Sequence, residues 1–206
     1  MDFIKFSDKV FERFLVENFD YDKDGQISTE DASQIISLEI PEELAPHITS
    51  LQGIENFPNL SELTVRHTNI CTLDVSRNEN LEHLNCSDNR LLWLTLERLN
   101  KLQRLYCDGN KLERLDISGL PSLKLLHCRH NQLTELDLTN KRQLIVLLCG
   151  SNLLTELDVS DSPLTALFLF WEISRGKVLA KYLKGKMIAN MVYLATPRSK
   201  YVPLNE

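Results

Sequence analysis

The chain has 206 residues, 43% hydrophobic and 25% charged with a net charge of −6, the make-up of one or two globular domains with enough apolar side chains for a core. No run of 18 or more apolar residues occurs, and the opening MDFIKFSDKVFERF is charged throughout, so neither a membrane span nor a retained signal peptide is expected. The acidity is uneven: residues 175–206 hold seven basic side chains and one acidic, +6, leaving 16 basic against 28 acidic over the first 174, which argues against a nucleic-acid partner for the body.

Residues 1–47 read as an N-terminal cap. DKVFERFLVENF sets Val10, Phe11, Phe14 and Leu15 on one face of a short helix, with Asp8 placed to accept its first N–H groups. DYDKDGQISTED follows. It puts Asp20, Asp22 and Asp24 at loop positions 1, 3 and 5, Gly25 at 6, the Gln26 carbonyl at 7, Ser28 at 9 and Asp31 at 12, the oxygen-ligand spacing of a calcium loop. The expected cofactor is one calcium ion. Asp31 stands where Glu usually gives two oxygens, and its side chain is one carbon shorter, so weak calcium binding or replacement by magnesium follows. The alternative is an acidic turn that only caps the helix after Ser28. A single such loop implies a structural ion rather than a sensor pair.

Residues 48–170 are periodic. Units begin at Leu60, Leu81, Leu102, Leu123 and Leu144, each 21 residues from the last, with an irregular unit at Ile48 before them and a partial one at Leu164 after. Leu-x-x-Leu-x-(Cys/Val)-x-x-Asn-x-Leu at a fixed period in the twenties is the leucine-rich-repeat signature. It predicts an α/β repeat solenoid, a right-handed coil in which one short strand per turn joins a parallel sheet on the concave side. Successive turns stack about 4.8 Å apart. Leu84, Leu105, Leu126 and Leu147, with Cys86, Cys107, Cys128 and Cys149, are expected to point inward. The Asn column (Asn89, Asn110, Asn131, Asn152) is expected to satisfy loop N–H and C=O groups. The cysteines read as small packing groups with free thiols, because Val65 fills their place in the first unit and no CxxC pair occurs. The second half of each unit has a period-two rhythm, which leaves no room for an outer helix.

Residues 171–206 form the third segment. Alternating apolar and basic residues around Lys184-Gly185-Lys186 predict a β-hairpin-like basic cap over the final coil, where Leu125, Val146, Leu148, Phe168 and Phe170 make an apolar block on outward positions. The alternative is that a partner covers the block.

The helix, the acidic loop, GIENFPNLSEL and the LNCSDNRL coils together resemble the leucine-rich-repeat proteins common in Bacteroidetes, distantly similar to internalins, which begin with an EF-hand-like or dockerin-like cap. The likeness covers about residues 8–170. It implies a surface or secreted interaction protein without an assigned activity, although a cytoplasmic location stays open.

No Gly-rich phosphate loop, GxSxG or HExxH occurs, and His83 and His127 lie two coils apart, so no enzyme is expected. The sequence therefore points to a non-catalytic, monomeric protein-interaction module. Its open concave face would carry Arg66, His83, Asn85, Arg104, Tyr106, Asp108, His127 and Arg129, with Tyr106 and the flanking arginines as the hot spot. The alternatives are a glycan-binding or adhesion module using Tyr106 and Trp93, or a cytosolic partner-binding protein.

Overall fold

The computed structural model of the protein describes residues 2–155, 157–159 and 161–164, and the backbone of 166–168. The basic C-terminal segment and Phe170 lie outside them.

Asp8 starts the first helix, α1 (Lys9–Phe19), by accepting from Val10 N (2.9 Å) and Phe11 N (3.0 Å) through Oδ1. Phe11, Phe14 and Leu15 form its buried face, with Val10 at the margin. The other Asp8 oxygen accepts from Thr49 N (2.7 Å) and Thr49 Oγ1 (2.9 Å), which ties the helix to the start of the first coil. A six-residue helix, α2 (Thr29–Gln34), follows the acidic loop.

Seven strands then make one parallel sheet: β1 (Ser37–Glu39), β2 (Glu62–Thr64), β4 (His83–Asn85), β6 (Arg104–Tyr106), β7 (Leu125–His127), β8 (Val146–Leu148) and β9 (Ala166–Phe168), in that spatial order. From β2 to β8 the pairing joins identical repeat positions, as in Glu62, His83, Arg104, Leu125 and Val146. The sheet begins earlier than the 21-residue period indicates. β1 pairs Ser37 with Glu62, 25 residues away, so a longer connection containing two 3-10 turns (Ala45–His47, Ile54–Asn56) hides the first rung from a fixed-period alignment.

The return segments are extended, as their rhythm requires, and in the first two full units they pair as a separate two-stranded sheet of β3 (Thr72–Asp74) and β5 (Trp93–Thr95). Between the sheet and the return segments one continuous core runs from the cap phenylalanines through the leucine columns to Leu164. A rung 4.8 Å thick buries little alone, and its stability comes from the faces it shares with its neighbours.

The Asn column holds each coil to the one before. Asn110 Nδ2 donates to Cys86 O (2.9 Å) and Cys107 O (3.1 Å), while its Oδ1 accepts from Leu91 N (3.0 Å). Asn89, Asn131 and Asn152 repeat the pattern one rung apart. Cys86, Cys107, Cys128 and Cys149 are buried and unbridged. Burial pushes the Cys86 and Cys149 thiols up to about 12, and Cys107 and Cys128 well above the usual range, so they serve as apolar packing.

Candidate binding surface

Each rung presents alternate strand residues on the outer face of the seven-stranded sheet, and pairing in register stacks them into columns. Of the sequence-derived positions, Arg66 and Arg104 are exposed, and His83, Asn85, Tyr106, Asp108, His127 and Arg129 are partly exposed. Ser87, two residues beyond Asn85 and so outward by strand alternation, is buried, and its backbone N donates to Asn85 Oδ1 (3.2 Å). Leu148 is buried as well, whereas Leu125 and Val146 remain partly exposed.

The polar columns are paired across rungs. Asp108 Oδ1 accepts from Arg129 N at 2.6 Å, while Oδ2 accepts from Arg129 Nη2 at 3.2 Å and lies 3.8 Å from His127 Nδ1. Tyr106 and His127 meet edge to face, with ring centroids 4.7 Å apart, which holds both rings in place. Glu62 lies 3.2 Å from His83 Nδ1. Arg66 pairs with Asp88 at 3.4 Å, and His67 Nε2 comes to 3.9 Å from the same carboxylate. Partial burial lowers the His127 pKa below its ordinary value, with Arg129 adding to the effect and Asp108 opposing it. At neutral pH the ring is therefore uncharged.

Asp88 and His67 belong to this surface although the strand alternation does not name them. They occupy a column with Gly109, His130 and Ser151 in which every residue has a left-handed backbone, φ between 54° and 65°. This turn swings Asp88 toward Arg66. The signal in the sequence was Gly109 itself. A Cβ there would meet Asp88 Oδ1 at 2.5 Å, so this rung takes the residue that both the turn and the close approach favour.

In the cap loop, oxygens of Asp20, Asp22 and Asp24 lie within 4.8 Å of one another. Asp20 also accepts from Asp24 N (3.2 Å) and Gly25 N (2.8 Å), closing the turn. The Asp22 carboxyl is pushed above the usual range, first by desolvation and then by its acidic neighbours Asp20, Asp24 and Asp31. Asp31 is turned elsewhere: Oδ2 accepts from Ser28 N (2.9 Å) and Ser28 Oγ (2.6 Å), Oδ1 from Tyr21 N (3.1 Å), and Ser28 Oγ caps Asp31 N in return. The donor set thus fits a small hard cation through three carboxylates, while Asp31 and Ser28 form the capping box of α2.

Trp93 is the most exposed large apolar side chain among the described residues at 66%, but it stands on β5, on the smaller sheet, away from the columns holding Tyr106. A cavity of about 840 Å³ lies along the return segments, where Asp116 and Asp137 are engaged by Ser118 and Thr139. No helix among the described residues is long and apolar enough to cross a membrane.

A parallel sheet with one strand per coil, a ladder of asparagine amides behind it and a helical cap at its start define a leucine-rich-repeat solenoid. Internalin C2 from Listeria monocytogenes str. 4b F2365 has a similar structure, with a TM-score of 0.54 and 21% identity over 80% of this chain and 84% of that one. The functional domain of InlJ from Listeria monocytogenes, which includes a cysteine ladder, aligns at 26% identity and a TM-score of 0.35 over 80% of this chain, a match that spans 50% of the other. Neither a protein-family model nor a curated protein matches the sequence.

Proposed function

We propose that this chain is a non-catalytic protein-interaction module of a secreted or cell-surface bacterial protein, and that it engages its partner on the concave sheet. The observation that carries the reading is the cluster of Tyr106, Asp108, His127 and Arg129, whose side chains are fixed to one another before any partner arrives. Preordered aromatic and arginine groups lose little entropy on binding. The four cysteines of the repeat column are buried, and their raised pKa values disfavour thiolate chemistry there. Tyr106 and Trp93 lie on separate sheets, which counts against a single glycan platform using both. Affinity capture from host and bacterial surface extracts with the native chain, Tyr106→Ala and Trp93→Ala as parallel baits tests the placement. Partners lost with Tyr106→Ala and kept with Trp93→Ala support it; the reverse pattern removes it.

In the same reading the cap loop takes one calcium ion through Asp20, Asp22, Asp24 and the Gln26 carbonyl. Asp31 and Ser28 join only if the capping box opens, so magnesium is tolerated and affinity is modest. Calorimetric titration with calcium should give one site that Asp22→Asn abolishes, and EDTA should lower the melting temperature. No heat and no shift would rule the ion out.

A further inference from the structure

We infer that the concave face is built to take an acidic segment of a protein partner, with a carboxylate seated on Arg104 and an aliphatic side chain beside it on Leu125 and Val146. This rests on the reading of the concave sheet as the binding surface and names the chemistry of the occupant.

The charges on this face are nearly all spent. Arg66 is held by Asp88, Arg129 by Asp108, and His83 by Glu62. Arg104 differs. It is exposed on the central strand β6, and no carboxylate among the described residues pairs with it. Its neighbours in register are His83 on one side and Leu125 on the other, and Tyr106 lies two residues along the same strand and face. One guanidinium fork thus lacks a counter-ion at the middle of a face whose other arginines have theirs.

A planar fork with free donors matches a carboxylate bidentately, and a charge-assisted pair of that geometry is both strong and directional. The Tyr106 hydroxyl offers a further donor nearby, and its ring is held by His127. The next two rungs in the Arg104 column are Leu125 and Val146, both partly exposed. An anion followed at one rung spacing by an aliphatic group is peptide chemistry, a Glu or Asp with a Leu, Ile or Val close by. A uronic or sialic sugar supplies the carboxylate without the aliphatic neighbour, and a nucleic acid, with a charge on every phosphate, would find a single unpaired arginine among the described residues of this face.

The test uses the full chain as bait for a phage-displayed library of random 12-residue peptides, with sialylated and uronic oligosaccharides as a separate array. Selected peptides should share an Asp or Glu near an aliphatic residue. One of them, made synthetically, should bind at least tenfold more weakly to Arg104→Gln and more weakly still to Arg104→Glu, with Arg104→Lys in between and affinity falling as salt rises. All three substitutions are on an exposed side chain and should leave the melting temperature unchanged. Peptides without acidic enrichment, no binder at all, carbohydrate binding that depends on Arg104 without peptide binding, or equal affinity for Arg104→Gln each overturn the proposal. If Tyr106→Ala still abolishes binding while Arg104→Gln does not, the concave reading survives without this partner chemistry. If neither substitution matters, the concave reading fails with it.

Discussion

Asn110 shows how much one side chain does in a structure made of repeats. Its amide satisfies carbonyls of two successive coils and its oxygen satisfies the Leu91 N–H, all in a buried loop. Asn110→Ala should leave these groups unpaired and cost about 1–3 kcal/mol, read as a lower midpoint in urea; an unchanged midpoint would mean that water replaces the amide at no loss. Lys141 is the opposite case. It occupies the column of Leu99 and Leu120, is only 2% exposed, and makes a 3.3 Å hydrogen bond to Ser118 O. Burial lowers its pKa, and the nearby Asp137 and Asp116 carboxylates only partly offset that. Those carboxylates keep their turn hydrogen bonds without it. Lys141→Leu should therefore stabilise the protein by about 1–2 kcal/mol, measured by the same denaturation.

The element with the most at stake is α1, because Asp8 both caps it and fastens it to the solenoid through Thr49. Burial alone would raise the Asp8 pKa, but the hydrogen bonds from Thr49, Phe11 and Val10 together hold it below the ordinary 3.8. A carboxyl lowered in the folded state contributes stability in full above its unfolded pKa and loses it as pH falls through the folded value. Asp31 behaves alike, with burial opposed by the Ser28 and Tyr21 hydrogen bonds, so the cap should weaken from about pH 4 downward. Asp8→Ala should cost about 2 kcal/mol at pH 7. The difference in melting temperature between it and the native chain should shrink between about pH 4 and pH 2; a constant difference over that range would show that the charge of Asp8 is not what holds the junction.

At the scale of the whole molecule, the coil separates two tasks. Leucines, cysteines and asparagines recur at the same inward positions from coil to coil, with Val65 and Thr68 in the Cys and Asn places of the first full unit, and generate the stack, while the outward positions vary and carry the chemistry. The concave face accordingly changes along its length, from paired ions around β2, β4 and β6 to aliphatic side chains on β7 and β8. A partner that lies across several rungs meets both, and Arg104 stands at the border between them.

The repeat, its strands, its inward columns and the helical cap were legible in the sequence because they are local and periodic. Side-chain alternation and a fixed 21-residue step leave one way to stack identical positions. The capping role of Asp8 was legible for the same reason, since an N-cap and its N–H groups are neighbours in the chain. The rest depended on contacts across coils. That Asp88 reaches Arg66 follows from a left-handed turn one residue past the alternating pattern, and that Asp108 serves both Arg129 and His127 follows from rotamers fixed between rungs 21 residues apart. β1 escaped the period because its connection is four residues longer than the repeat. Asp31 is a different case: it fits two local patterns, an ion loop and a capping box, and the folded chain commits its oxygens to Ser28 and Tyr21, a choice between local partners that spacing alone does not make.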